Sequence, residues 1–296
     1  MGCWGVGGPA NLRLVADLSI TKFAGEFAAL AAWTGEPEEQ LRAEEDYHSA
    51  DRDHWLAWEG DSVVGVLHPW RSPDDRLRLY YGKCRADAYA PLASVIDAEC
   101  YTTADADDDA MLAALSAAGF AEHRRENNYE IPVAKADAHV PDGIRIVTAD
   151  KTELEPLMLL DCAIRADIPG ADGWQPDPVW FREETYDSPF FDPQTYRVAL
   201  DGTEYVGLAR VWKRAPSEQY RRLGCVGVLA GYRQRGLGRA LIAQAMASLA
   251  DAGETVVTAE ADTANIASHT LLTAFGAKIT ASTIELHRAA RDHEDF

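Results

Sequence analysis

Residues 228–240 read V-L-A-G-Y-R-Q-R-G-L-G-R-A, an apolar strand followed by a glycine-rich turn that opens a helix. Gly236 and Gly238 let the backbone approach a ligand without Cβ interference, and the free N–H groups and positive dipole end of the helix then face that ligand. The turn is a cradle for an anion, a phosphate first of all. The helix is signalled by Leu237, Leu241, Ile242, Ala245, Met246 and Leu249 at three- and four-residue spacing, with Gly253 where a C-terminal cap belongs. Charge agrees: from Arg210 to Arg239 stand eight basic residues against one acid, Glu218, in a chain of formal net charge -20. A basic island in an acidic protein points to a local anion site rather than to nucleic acid, because the field of the whole chain repels a polyanion. A solvated basic hairpin is the alternative.

Two familiar nucleotide loops are excluded. No Lys-Ser or Lys-Thr follows the glycines, and only two of the three glycines of the dinucleotide fingerprint are present. RQRGLG does resemble the R-x-x-G-x-G signature of the GNAT acetyltransferase superfamily. Residues 265–277, N-I-A-S-H-T-L-L-T-A-F-G-A, resemble its second motif, roughly N-x-x-[AS]-x-x-L-Y-x-x-x-G-F, in the right order and separation. The similarity covers about 144–288. It implies an α/β fold with a mixed sheet, acetyl-coenzyme A as cofactor, and N-acetyl transfer to the primary amine of a small metabolite or antibiotic by direct attack on the thioester.

Composition sets the frame. A chain of 296 residues with 47% apolar content is long enough for two domains with cores. No apolar run reaches the length of a membrane span and no basic leader precedes an apolar stretch, so a cytoplasmic protein without membrane contact is expected. Val6 stands where a myristoylation signal at Met1-Gly2-Cys3 wants Ser or Thr. Five scattered cysteines (3, 84, 100, 162, 225) and eight histidines lack metal-ligand spacing, so we expect reduced, buried thiols and no metal.

The second half reads as strand 144–149, helices 152–166 and 178–186, strand 195–200, a hairpin turn at Asp201-Gly202, strands 205–213 and 220–229, the glycine-turn helix, strand 255–261, helix 264–275 and closing strands to about 288. The first half echoes it. Leu12-Arg13-Leu14-Val15 matches Ile144-Arg145-Ile146-Val147, Val64-Gly65 matches Val206-Gly207, and residues 114–120 match 271–277. Two tandem copies of one mixed α/β fold are expected, over 1–136 and 142–296, joined by a linker at 134–143. The first copy is shorter where the second keeps its phosphate turn and long helix, and 81–97 contain no G-x-G. It has lost the cradle and is expected to be a scaffold or lid. Such an architecture resembles two-domain actinobacterial GNAT enzymes of the mycothiol synthase type, which keeps acetylation of a thiol precursor open beside amine acetylation. A non-catalytic acyl-coenzyme A sensor is the third reading, and either a monomer or a homodimer fits.

The resemblance assigns roles in the second copy. Backbone groups of Val226, Gly227 and Val228 serve the pantetheine arm, and Arg233, Gln234, Arg235, Gly236, Leu237, Gly238 and Arg239 form the pyrophosphate loop. Asn265 adds a side-chain contact. An amine must lose a proton before it attacks, and Glu260, which interrupts the apolar strand before Asn265, is the candidate base; a surface ion pair is its alternative role. Leu272 stands at the family's tyrosine position, so no proton donor for the departing thiolate is assigned, with His269, Tyr220 and Tyr232 as other donors. Eight acids and six aromatic residues between Asp161 and Asp192 suggest a cationic acceptor, by Coulomb attraction and cation–π contact. They equally suit a solvated helix face over a core.

Overall fold

The computed structural model describes residues 18–42, 54–72, 74–170, 175–213 and 219–291. The first copy runs β1 (Ser19–Lys22), α1 (Phe27–Thr34), β2 (Trp55–Glu59), β3 (Ser62–Arg71), β4 (Leu77–Tyr81), α2 (Tyr89–Ser94), β5 (Cys100–Asp105), α3 (Asp109–Ala117) and β6 (Ala121–Pro132). The second runs β7 (Ile144–Thr148), α4 (Leu154–Arg165), α5 (Pro178–Glu184), β8 (Tyr196–Asp201), β9 (Glu204–Trp212), β10 (Arg221–Val228), α6 (Leu237–Asp251), β11 (Val256–Asp262), α7 (Ile266–Thr273) and β12 (Lys278–Arg288).

Each copy repeats the same local logic. A hairpin turns through a left-handed glycine, Gly60 at φ 59° and Gly202 at φ 58°, which L side chains avoid. A helical crossover then makes the next strand pair parallel, β4 with β5 and β10 with β11, since a parallel pair cannot be closed by a tight turn. The crossovers differ in length: α2 has six residues and α6 has fifteen. In α6 the apolar stripe from Leu237 to Leu249 is wholly buried. The repeated Val-Gly pair also has a packing cause. A Cβ on Gly65 would stand 2.7 Å from Cys84 Sγ and 3.0 Å from Leu92, and one on Gly207 would stand 3.2 Å from Leu241. Both glycines lie under the crossover of their copy.

The sequence pairs the first strand of copy one with Leu12–Val15, a stretch outside the described residues. The strand that meets β2 as β7 meets β8 is Ser19–Lys22.

All twelve strands form one sheet, in the order β1-β2-β3-β4-β5-β12-β6-β11-β10-β9-β8-β7. In place of several closing strands to about 288 there is one, β12, and it does not close its own copy. It lies between β5 and β6 of the first copy, while β6 crosses to pair with β11. The two copies have exchanged their last strands. Residues 126 and 283 face each other in the β6–β12 ladder, flanked by the pairs Arg125↔Ile284 and Asn127↔Ser282. Interchanging the copies maps these pairs onto one another, so a local two-fold axis passes beside Glu126 and Thr283.

A buried ionic cluster marks the seam. Glu285 on β12, 3% exposed, accepts from Arg78 Nη1 at 2.9 Å and Arg124 Nε at 3.1 Å, and Arg78 also holds Asp74 at 3.0 Å. Burial alone would raise the Glu285 carboxyl, but the hydrogen bonds and charges of Arg124 and Arg78 outweigh it and hold the group below its ordinary value.

Candidate functional site

β10 and β11 pair only over Arg221↔Val257, Arg222↔Thr258 and Leu223↔Ala259. A register shift between Leu223 and Cys225 then keeps β10 on β9, while β11 stays on β6. The diverging ends leave a wedge in the sheet. A cleft of about 500 Å³ fills its α6 side, and a recess of about 150 Å³ lies beyond it. The two meet at Ile168, Val226, Asn265 and Ser268, which border both.

The cleft floor is backbone. Leu229 N–H donates to Val206 O on β9, and hydrogen-bonding direction alternates along an antiparallel pair. The backbone groups of Gly227 therefore also point to β9, whereas those of Val226 and Val228 point into the wedge. Val228 O is taken by Arg233 Nε at 2.8 Å, which leaves Val226 N–H and C=O and Val228 N–H for a ligand. Gly227 lines the cleft and also meets a packing demand. A Cβ there would stand 2.3 Å from Ile164 Cγ2, so its bare Cα lets α4 lie on β10.

The turn behaves as the glycines predict. Gln234 at φ 60° and Gly236 at φ 81° are both left-handed, and they fold the segment into a concave run of N–H groups ahead of α6. No side chain caps the N-terminus of α6, so the first N–H groups of the helix are open to the cleft. Asp108 and Asn265 do cap α3 and α7. Asn265 accepts from Ser268 N–H at 3.0 Å, keeping its amide N–H groups for the cleft it borders.

The basic island is only partly available. Arg210 is buried beside Asp161, Arg221 holds Asp192 and Glu254, Arg222 holds Glu260, and Arg233 is tied to Asp167; Arg214 lies outside the described residues. Arg233 thus braces the turn. Arg235 stands over Tyr232 at 5.4 Å and Arg239 over Phe275 at 5.7 Å, and neither has a carboxylate partner among the described residues.

Glu260 borders the recess and is 46% exposed, paired with Arg222 at 3.0 Å. Such an exposed pair is worth about 0–1 kcal/mol, little enough for an incoming ammonium to replace it. Two more carboxylates border the same recess. Asp262 is 7% exposed and accepts from Ala264 N–H. Glu126, opposite Asp262 in the ladder, arrives on β6 from the first copy. Arg124 holds Glu126 at 2.5 Å and lies 3.7 Å from Asp262. Sequence reading misses Glu126, because nothing local marks a strand that will cross to the other copy.

Of the alternative proton donors named from sequence, Tyr232 borders the cleft and neither His269 nor Tyr220 borders the cleft or the recess. Leu272 is core. His269 Nδ1 lies 3.0 Å from Tyr129 Oη, and Tyr232 Oη donates to Asp201 and Glu204, which push its pKa up to about 12. Tyr220 borders neither cavity. Cys225 borders the recess, but burial pushes its thiol up to about 11, so it stays protonated near neutrality and is a poor nucleophile.

Much of the acidic, aromatic segment from Asp161 to Asp192 is engaged in packing and ion pairs. Phe181, Trp180, Tyr186 and Phe191 pack into the core beneath α4. Asp161 and Asp192 pair with arginines, and Asp177 caps α5. Asp172 and Trp174 lie outside the described residues. Asp167 borders the cleft, and the acids that border the recess are Glu126, Glu260 and Asp262.

The profile of the Acetyltransferase (GNAT) family matches residues 164–277, which span the wedge, the turn and α7. Several solved structures share the fold over nearly the whole chain. A GCN5-related N-acetyltransferase from Sphaerobacter thermophilus is 14% identical, with 94% of this chain and 98% of that one covered at a TM-score of 0.68. A tandem GNAT protein from the clavulanic acid biosynthesis pathway is also 14% identical, with 94% and 100% covered at 0.63. A glucosamine N-acetyltransferase region of a fungal multi-domain β-N-acetylglucosaminidase is 13% identical, covering 96% of this chain and 39% of that chain at 0.63. No curated protein sequence matches the chain.

Proposed function

From the premise that residues 164–277 carry a GNAT acetyltransferase domain, whose family cofactor is acetyl-coenzyme A, we propose that this chain acetylates the primary amine of a small cationic metabolite. The observation that carries the reading is the uncapped α6 N-terminus, opening on a cleft that runs into a recess bordered by three carboxylates. The cleft suits the cofactor by its own chemistry: backbone donors and two uncommitted guanidiniums for a diphosphate, and strand N–H and C=O groups for an amide-bearing arm.

When bound, acetyl-coenzyme A supplies a thioester carbonyl, and the amine nitrogen bonds to its carbon as the C–S bond breaks and the thiolate leaves. Val226 N–H points into the wedge and is positioned to stabilise negative charge on the carbonyl oxygen. Glu126 and Asp262 attract the ammonium form of the acceptor. Glu260 exchanges Arg222 for that ammonium and takes its proton, directly or through water. Leu272 offers no proton, so the thiolate departs without one from that position.

Thiol release measured with a panel of diamines, amino sugars and neutral amines tests this. Turnover with cationic amines, reduced about tenfold or more in Glu260→Gln at unchanged coenzyme A affinity, is expected for loss of a general base. Full activity of Glu260→Gln across pH removes Glu260 as base. The burial of Leu272 favours one competing reading, a coenzyme A-binding sensor without turnover. Tight coenzyme A binding with no acetylated product from any acceptor decides for it.

A further inference from the structure

The first copy lacks the phosphate turn, yet a cavity of about 210 Å³ opens between β4, β5 and the start of α3. Its place corresponds to the wedge of the second copy. Asp105, Asp108 and Met111 stand where the second copy has Asp262, Asn265 and Ser268, and Thr283 on the exchanged β12 faces Asp105 as Glu126 faces Asp262. The aspartate at the end of the strand is kept, while Asp108 replaces Asn265 at the helix cap and Thr283 stands in place of Glu126. Among the described residues no Lys or Arg lines the cavity. Asp108 occupies the helix cap, accepting from Met111 N–H at 2.9 Å as Asn265 accepts from Ser268 N–H, but it puts a negative charge where Asn265 is neutral.

Two walls of the cavity are the rings of Tyr81 and Tyr89, with centroids 5.2 Å apart and planes at 76°. This is an aromatic corner, and Tyr80 and Met111 extend it. The Tyr81 hydroxyl is enclosed and has no hydrogen-bond partner among the described residues. The nearby Arg288 donates from its two Nη groups to Ala93 O and Ile96 O and does not bond the Tyr81 hydroxyl. At the mouth, the Asp105 carboxylate has no hydrogen-bond or ion-pair partner among the described residues, and it sits on the same side as Asp108. Ring faces and edge carboxylates together attract a compact, weakly hydrated cation. The volume falls below the roughly 300 Å³ at which pockets for drug-sized ligands begin, which fits one ammonium group and excludes a nucleotide.

We propose that the first copy is a binding site for a small organic ammonium ion, held between Tyr81, Tyr89 and Met111 with Asp105 and Asp108 as counter-charges. It stands independently of the acetyl-transfer reading, since it uses no residue of the cleft or recess. The full-length chain is titrated by calorimetry with choline and with its neutral isostere 3,3-dimethylbutan-1-ol. Saturable binding of choline, at least tenfold weaker binding of the isostere, and at least tenfold loss of choline affinity in both Asp105→Asn and Tyr89→Leu are expected. Coenzyme A affinity should stay unchanged in both variants, which shows that they fold. Should Tyr89→Leu fail to fold, Asp105→Asn carries the test by itself. Absence of choline binding, equal binding of the isostere, or choline affinity that survives Asp105→Asn but falls in Glu126→Gln overturns the proposal; the last result places the ion in the recess of the second copy.

Discussion

The two copies answer the same topological problem with different crossovers and different cavities. In the second, fifteen residues of α6 and the left-handed turn before it present open N–H groups to a cleft of about 500 Å³. In the first, a six-residue α2 replaces that helix, and tyrosines and aspartates fill the matching positions around about 210 Å³. A duplicated scaffold therefore keeps its sheet and its strand splay while the anion-facing turn is present in one copy only, because the hairpin and crossover are set by different residues from those that meet a ligand. The comparison also shows where independence stops. Neither copy completes its own sheet, since β6 and β12 are exchanged.

The most severe way to break the comparison is to separate the copies. Residues 142–296 produced alone leave β11 without β6, and β12 without either neighbour; an unpaired inner strand edge invites aggregation. We expect no cooperative unfolding transition by circular dichroism, and recovery of a folded complex on co-expression with residues 1–141. A discrete, stable 142–296 monomer would show that the exchange is dispensable.

Next in size is the seam itself. Glu285→Ala leaves Arg78 and Arg124 without their shared buried counter-charge, and a loss of about 3–5 kcal/mol in denaturant unfolding is expected for breaking such a cluster. The pH dependence has a defined sign. Because the folded Glu285 carboxyl is held below its ordinary value, its contribution is complete above the unfolded-state pKa and is lost as pH falls through the lower, folded value. Wild-type stability should therefore drop on acidification more steeply than that of the variant.

Gly238→Trp sharpens the contrast between the sites. A Cβ at 238 meets Leu271 at 3.5 Å, an ordinary contact, so the backbone tolerates a side chain while the bulk of the indole occupies the cleft. Coenzyme A affinity should weaken by about a hundredfold in calorimetry, as expected when backbone donors can no longer reach a diphosphate, with the melting temperature little changed. Residual tight binding would point to the first copy as a second cofactor site. The smallest effect belongs to Glu126→Gln, which removes one of three carboxylates from the recess. A rise in acceptor KM of about threefold to tenfold, the scale of one partly screened charge pair, with little change in kcat, is expected in steady-state assays.

Much of this was readable in one dimension because it is local. The apolar stripe of α6, the turn glycines, Gly253 after the helix and Asn265 before α7 all act within a few residues of themselves, and the structure places them as the spacing implies. Periodicity and cap chemistry also located β7 to β11 to within about two residues, as short-range signals do, but not the single closing strand. The spacing of the Val-Gly pairs disclosed the duplication, since each glycine is demanded by the crossover packed upon it.

Other features depend on which distant group arrives beside a residue. The side to which Gly227 turns its backbone follows from the β9–β10 register, and the engagement of Arg233 by Asp167 and Val228 follows from where α4 ends. The aromatic run before Asp192 is core because α4 covers it. Above all, the exchange of β6 and β12 brings Glu126 to the second copy. Composition and periodicity determined that there would be strands, a cradle and two copies, since those rest on the chain's own neighbours in sequence. Strand order, and with it the ownership of the recess, was settled only in three dimensions, where the free edge of β11 and the charges around Glu285 select the partner.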